Sequence, residues 1–188
     1  MRRNDPGIDA CWTAPLSFTA MKTKALLISV IFFLVVAFVF IFPFFPVLSI
    51  SNRKNPSEKI HFENGARGFI ISYTHSVNKG RVHDYYRTDG KNLILYRTDF
   101  VSYGAGMPEI EETPDAVFYQ AGETYTMEYE RNVGTSFLLS VGVIAEHSIT
   151  LGDYEFFLKD FFEPKTSLVF KIKRISLIEL LNKKRRPN

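Results

Sequence analysis

The chain has 188 residues with 23 Lys or Arg and 20 Asp or Glu, so its formal net charge is only +3. Residues 99–163 hold thirteen acids against two bases, which argues against nucleic-acid binding, because such a surface would be basic with interleaved aromatics. The single cysteine, Cys11, precedes the apolar segment described below, so the part of the chain after that segment has no disulfide.

An apolar segment, Ala25 to Phe42, contains Ser29 as its only polar side chain and carries no charge. As a helix it would be about 27 Å long, close to the roughly 30 Å thickness of the bilayer hydrocarbon. We therefore predict one membrane passage. Residues 25–42 would contact the lipid bilayer, within an anchor that extends over residues 21–50.

The charges beside this segment indicate its orientation. Lys22 and Lys24 at the amino end favour a cytoplasmic N-terminus and an extracytoplasmic C-terminal domain, although bases also follow the segment. A cleavable signal would need a shorter apolar core and a site with small residues, for which only Val47-Leu48-Ser49 is a candidate. We predict an uncleaved signal-anchor and a single-pass protein of the cell membrane.

The first twenty residues differ from the rest of the chain. They show no periodicity, and the sequence Met21-Lys22-Thr23-Lys24 resembles the start of an export signal. Residues 1–20 are therefore predicted to be a disordered extension. Alternatively, the start codon is assigned too early and translation begins at Met21.

The part after the anchor has the pattern of a β protein. We predict a polar connector over 51–67, a β domain over 68–175 and a basic amphipathic tail over 176–188. Within the domain, hydrophobic residues alternate with period two between glycine-containing turns. About seven or eight short strands with little helix predict an all-β fold, an antiparallel β-sandwich or barrel.

Reactive side chains are densest in residues 73–86, where two predicted strands meet at Lys79-Gly80. A two-residue loop there would place His75 opposite Asp84, with their Cβ atoms about 4.5 to 5.5 Å apart. A three-residue loop would place His75 opposite His83 instead. We predict the two-residue loop, because it also pairs the flanking valines in one hydrophobic contact.

The chemistry open to this group is limited. His75 and Ser76 are adjacent, so on a strand they point to opposite faces and cannot act as base and nucleophile unless a bulge intervenes. Because G-x-S-x-G is also absent, we predict no enzyme and no catalytic residue. Two ligands across a hairpin are weak evidence for a metal site, so neither metal nor cofactor is predicted. Two interpretations of this group remain open. It is either a polar pair that fixes the strand register, or a ligand-binding or interaction patch beneath the tyrosines.

A second group is the sequence F-V-S-Y-G-A-G-M-P at residues 100–108. Its two glycines before a proline predict a sharp turn or a close backbone approach, and it lacks the lysine of a phosphate-binding loop. The candidate binding or interaction residues of the two groups are Tyr73, His75, Ser76, Asp84, Tyr86, Tyr103, Gly104, Gly106 and Pro108.

Taken together, the apolar start ending in F-P-F-F-P, the sequence F-I-I-S-Y-T-H-S-V at 69–77, an acid at 84 and the sequence at 100–108 resemble a known family. It is the family of domain of unknown function 1850, and the resemblance covers about residues 21–175. It implies a small extracytoplasmic domain of prokaryotes, often encoded beside TRAP-type transporters of the TAXI class, with no established activity. Its motif positions here are His75, Ser76, Val77, Asp84, Gly104, Ala105, Gly106 and Pro108.

The resemblance and the residues together lead to an expected function. We expect a non-enzymatic, membrane-anchored accessory module on the extracytoplasmic side, which contacts a transporter membrane subunit or a solute-binding protein of a TRAP/TAXI-type transporter. The alternative is an independent extracytoplasmic protein that binds a small ligand or a metal, which would place His75 in a closed pocket. Asn78 stands where the family has Glu, so a role that needs two acids around the turn is not expected.

Overall fold

The structure is a computed structural model that describes residues 18–77, 79–101 and 115–181, with side chains from residue 23 onward. It divides into two units, a helix that ends at Ile41 and a β domain that begins at Phe42. Of the predicted extension, only residues 18–20 are described, and they form the start of the helix.

Helix α1 spans Phe18–Ile41. By length and composition, its part Thr23–Ile41 is a candidate membrane span. Apolar side chains occur on all sides of the helix, which is typical of a helix surrounded by lipid rather than of one that lies on a protein surface. The predicted N-terminal apolar helix is therefore confirmed as a possible single-pass anchor.

The described part of the β domain contains eleven strands in two antiparallel sheets. The four-stranded sheet has the order β2-β1-β11-β8, and the seven-stranded sheet has the order β10-β9-β3-β4-β5-β7-β6. The strands are β1 Phe45–Asn52, β2 Lys59–Phe62, β3 Gly68–Thr74, β4 Arg81–Asp89, β5 Asn92–Phe100, β6 Val117–Ala121, β7 Thr124–Gly134, β8 Ser136–Ser140, β9 Ser148–Leu151, β10 Tyr154–Phe157 and β11 Ser167–Ile175. Short 3-10 turns occupy Asn64–Ala66 and Leu158–Asp160, and helix α2 spans Leu177–Leu181.

This arrangement confirms the predicted all-β antiparallel class, with more strands than the seven or eight expected. Two of the additional strands, β1 and β2, lie in residues that the sequence pattern assigned to the end of the anchor and to the connector. In β1, Val47, Leu48 and Ile50 are fully buried, and Ser49 between them is 2% exposed. A strand buried on both faces reads as a continuous apolar run, which cannot be told from a membrane segment by periodicity.

The hydrophobic core lies between the two sheets and is rich in stacked aromatic rings. The ring of Phe137 is 4.9 Å from the rings of both Tyr86 and Phe170, and Tyr86 is 5.0 Å from Phe69. These rings come from β8, β4, β11 and β3, so they join the centre of the large sheet to the small sheet. Offset aromatic stacks add to the free energy gained by burying the rings.

The register of β3 with β4 differs from both predicted loops. Tyr73 pairs with Val82 and Ile71 pairs with Asp84, so His75 is opposite neither Asp84 nor His83. The loop is longer than predicted, because His75 lies outside β3 and its N–H donates to the Gly80 carbonyl at 2.9 Å. The expected pairing of the valines does not form.

The reason for this register is burial. It places Phe69 and Ile71 of β3 in the core beside Tyr86, whereas Val77 in the loop is 70% exposed. The register is therefore determined by burial of the apolar residues at the centre of the strand, and the valine near the turn remains in the loop.

The described part of the predicted tail, residues 176–181, includes α2. Glu179 there accepts hydrogen bonds from Lys173 at 2.8 Å and from Lys59 at 3.3 Å, and these lysines hold the pKa of its carboxyl down at about 2. The ring of His61 is 5% exposed and its Nε2 is 3.4 Å from the same carboxylate. The start of the tail is thus held on the small sheet by charge. The basic residues 183–186 lie outside the described residues.

One glycine is required by the geometry of the large sheet. Gly68, at the start of β3, has a φ of +148°, and a Cβ there would lie 2.8 Å from the carbonyl oxygen of Tyr86. We expect Gly68→Ala to lower the free energy of unfolding by roughly 1 to 3 kcal/mol, because the clash is with backbone in a conformation that only glycine adopts readily. Urea unfolding of the full chain in a nonionic detergent, followed by circular dichroism, measures this loss.

Gly90→Ala is the matched control. Gly90 also has a positive φ, +60°, but a Cβ there would meet nothing within 4 Å, so its cost is the left-handed conformation alone, about 1 kcal/mol. A loss at Gly68 no greater than the loss at Gly90 would contradict the expected clash.

Candidate interaction site

A carboxylate lies on the core-facing side of the large sheet. Asp84 of β4 is opposite Thr98 of β5, and the Thr98 hydroxyl donates a hydrogen bond to Asp84 Oδ1 at 2.7 Å. The Tyr129 hydroxyl of β7 is 2.7 Å from the same threonine oxygen. Burial raises the pKa of Asp84 to about 6, although the bond from Thr98 and the charge of Arg131 oppose this shift. The carboxyl therefore changes its charge just below neutral pH.

Tyrosines surround this carboxyl. Burial raises the pKa of Tyr73, Tyr86 and Tyr129, and the nearby charge of Asp84 raises each of them further. The Tyr73 ring also stacks on His147 at 5.6 Å. The group of Asp84, Thr98 and these three tyrosines, which we name the Asp84 cluster, is an aromatic-lined polar patch with one ionisable acid.

Three of the predicted site residues meet in this cluster, namely Tyr73, Asp84 and Tyr86. They share a face, as the predicted register required, because the true register differs by an even number of residues and so keeps each side chain on its side of the sheet. Thr98 and Tyr129 were missed, since their contribution depends on how β4, β5 and β7 pair.

Other predicted residues lie elsewhere. His75 is half-buried and Ser76 is exposed, both in the β3–β4 loop, where the Nδ1 atom of His75 accepts the Val77 N–H at 3.3 Å. The remaining predicted residues, Tyr103, Gly104, Gly106 and Pro108, lie outside the described residues.

The loop that holds His75 is fixed to the β8–β9 loop at the same end of the domain. The Thr74 N–H donates to the Ala145 carbonyl at 2.7 Å, and the Arg81 guanidinium donates to the Glu146 carbonyl at 3.1 Å. We name the described residues of the β3–β4 loop (75–77, 79 and 80) and the β8–β9 loop (141–147) together the loop end. Three of its large apolar side chains are strongly exposed, namely Val77 at 70%, Val143 at 63% and Ile144 at 73%, whereas Val141 is buried in the core.

The opposite face of the large sheet carries a polar row that sequence reasoning missed. Ser72 of β3 pairs with His83 of β4, and the serine Oγ is 2.7 Å from the histidine Nδ1. Burial lowers the pKa of His83, and the charge of Arg81 lowers it further. The pair was not predictable, because the assumed register placed these residues apart. Ser72 is only 1% exposed, so its hydroxyl is closed to a substrate.

The row continues at Asp99 of β5, which accepts four hydrogen bonds. Arg97 donates two of them at 2.7 Å, Thr126 donates one at 2.9 Å and Tyr85 donates one at 3.0 Å. Burial by itself would raise the pKa of the Asp99 carboxyl. The hydrogen bonds from these donors have the larger effect and hold its pKa below the ordinary value. Asp99 is thus a satisfied charge that ties three strands together.

Part of the chain matches a known protein family. Residues 69–158 match a family described as "Domain of unknown function (DUF1850)". No curated protein matches the chain, and no solved structure matches it. Within the described ranges, no group of three or more His, Cys, Asp or Glu side chains is arranged to hold a metal ion.

Proposed function

Because this chain belongs to the domain of unknown function 1850 family through residues 69–158, we propose a role from its own surfaces: a non-enzymatic, membrane-anchored accessory module that binds a partner protein. The partner that we propose is a TRAP/TAXI-type solute transporter, through its membrane subunit or its solute-binding protein. The contact would be made on the extracytoplasmic side by the loop end.

The observation that carries this proposal is the exposure of the loop end. Val77, Val143 and Ile144 are each more than 60% exposed. The β8–β9 loop is held in place by hydrogen bonds from the end of β3, at Thr74, and the start of β4, at Arg81. Large apolar side chains held outward at one end of a folded domain are typical of protein interaction sites. Preformed loops also lose little conformational entropy on binding.

The orientation and the partner have separate support. Lys22 and Lys24 at the amino end of the candidate span favour an extracytoplasmic β domain. The resemblance to a family often encoded beside TAXI-class transporters supports the choice of partner. The closed Ser72 hydroxyl beside His83 supports a non-enzymatic role, because a nucleophile must reach its substrate.

Site-specific photo-crosslinking in native membranes tests the proposal. A photoreactive amino acid at position 77 or 144 of the full, C-terminally tagged chain is expected to capture a transporter membrane subunit or a solute-binding protein, identified by mass spectrometry. The same amino acid at position 138 is the matched control, because Leu138 is 54% exposed but lies in strand β8 outside the loop end.

The charge variants Val77→Asp and Ile144→Asp provide a second measurement. Both side chains are exposed, so we expect the fold to be kept while capture from a neighbouring loop position falls about tenfold, since a desolvated charge opposes an apolar contact. Equal capture from position 138, or no transporter protein captured from either loop position, would sink the proposal.

A further inference from the structure

A pocket of about 460 Å³ lies on the outer face of the large sheet. Its walls come from the residue before β3 and from β3, β4, β5, β9 and the β9–β10 turn. The lining residues that matter for its chemistry are Arg67, Tyr85, Arg87, Tyr96, Thr150 and Gly152. None of them was among the residues that the sequence singled out.

An irregularity in the sheet creates the tyrosine wall of this pocket. Tyr85 pairs with Arg97, whereas the next residue of β4 pairs with Leu95, so Tyr96 is an extra residue in β5. This β-bulge brings the Tyr96 ring beside the Tyr85 ring, with centroids 6.2 Å apart at 61°. Bulges that redirect a side chain are common beside functional sites.

Two glycines line the pocket. Gly68 lines it where β3 starts, and any side chain there would meet the backbone of β4. Gly152 lines it in the β9–β10 turn, with a φ of +61°.

The charges of the pocket have one sign. Two arginines line it, and its lining contains no acidic side chain. Arg87 is ion-paired with Glu130 of β7, whereas Arg67 is exposed and has no ion pair with any residue in the described ranges. The nearby Asp99 is already neutralised by Arg97, which also lies 4.9 Å over the Tyr85 ring.

From this geometry we propose that the pocket binds a small organic anion. Its carboxylate or phosphate group would be held by Arg67 and Arg87, whose planar guanidinium groups suit such oxygens. Its apolar or aromatic body would lie against Tyr85 and Tyr96, and the Thr150 hydroxyl offers a further hydrogen bond. This site is separate from the loop end, so the proposal of an anion site does not depend on the proposed partner contact.

Ligand-observed fluorine NMR on the full chain in a nonionic detergent tests the site. The probe is 4-fluorobenzoate, with 4-fluorophenyl phosphate as the arm that distinguishes phosphate from carboxylate, and 4-fluorobenzyl alcohol as the neutral analogue. Empty micelles give the background. We expect the benzoate or the phosphate signal to broaden with the protein present, and the alcohol signal to stay at its background.

The double variant Arg67→Gln/Arg87→Gln is expected to weaken binding of the anionic probe at least about tenfold, the loss typical of removing charged hydrogen-bond donors. The double variant Arg67→Lys/Arg87→Lys should recover part of the lost affinity, because lysine keeps the positive charge but lacks the paired N–H donors of the guanidinium group. Arg53→Gln is the matched control, since Arg53 is exposed and lies next to the small sheet.

The outcomes separate clearly. Tighter binding of the phosphate probe would assign the pocket to phosphate esters, and tighter binding of the benzoate would assign it to carboxylates. Binding that is unchanged in the double glutamine variant while its melting curve is normal would overturn the proposal. Equal binding of the neutral alcohol, or no binding of either anion, would also overturn it.

Discussion

Phe170→Ala is expected to lower the free energy of unfolding of the β domain by roughly 3 to 5 kcal/mol, the range for removing a buried phenylalanine ring. Phe170 of β11 is fully buried, and its ring lies 4.9 Å from that of Phe137 and 6.2 Å from that of Phe69. Its loss would leave a cavity where the two sheets meet. Single domains are typically stable by about 5 to 15 kcal/mol, so this variant would be close to unfolding.

Pulse proteolysis of the full chain across a urea series measures this loss in a nonionic detergent, because it reports the folded fraction of the β domain. Leu138→Ala is the matched control: its side chain is 54% exposed on the neighbouring strand, and we expect a change within about 0.5 kcal/mol. Similar midpoints for the two variants would show that the ring stack is not the centre of the core.

Asp84→Asn is expected to stabilise the β domain, and to do so only above mildly acidic pH. Burial raises the pKa of Asp84 from 3.8 to about 6 in the folded state, so between these values the folded state binds the proton that the unfolded state has released. Stability from this group is therefore greatest below its unfolded pKa and is lost as the pH rises through its folded pKa. The rise of the pKa from 3.8 to about 6 corresponds to a loss on the order of 3 kcal/mol above pH 7.

The variant keeps the shape and the acceptor for Thr98 but has no charge, so it should escape that loss. Urea unfolding near pH 8 should show a gain on the order of 3 kcal/mol, and near pH 4 the gain should fall below about 1 kcal/mol. Asp153→Asn, at an exposed aspartate, is the control and should show no such dependence. A variant less stable than the parent near pH 8 would mean that the charged form is the favoured one.

A carboxylate that costs stability at neutral pH is a reason to regard the Asp84 cluster as functional. Residues kept for folding alone are selected for the stability that they add, whereas functional groups are often held in environments that disfavour their charge.

The sequence predicted what depends on neighbouring residues. The apolar helix follows from an uninterrupted run of hydrophobic side chains, and the all-β class follows from the alternation along β3 to β5. Strand β1 was missed because Val47, Leu48 and Ile50 are buried together with Ser49, so no alternation marks it. The candidate cleavage site Val47-Leu48-Ser49 lies inside this strand.

What depends on pairing between distant residues could not be predicted. Tyr73, Asp84 and Tyr86 were correctly predicted to share a face although the predicted register was wrong. The predicted and true registers differ by an even number of residues, which leaves each side chain on the same face of the sheet. The Ser72–His83 pair, the contribution of Tyr129 and the tyrosine wall at Tyr96 each require a particular register or bulge. Such features are set by packing of the whole sheet, which turn residues alone do not specify.

The pairing of β1 with β11 determines when this domain can fold. Phe45 pairs with Ile175 and Asn52 pairs with Leu168, so the first strand and the last strand lie side by side in the middle of the small sheet. A chain that is synthesised from its N-terminus must wait for almost the whole domain before β1 finds this partner, with its apolar residues uncovered meanwhile. The small sheet is therefore completed late, and the interval before β11 arrives is the time at which this chain is most open to aggregation and proteolysis.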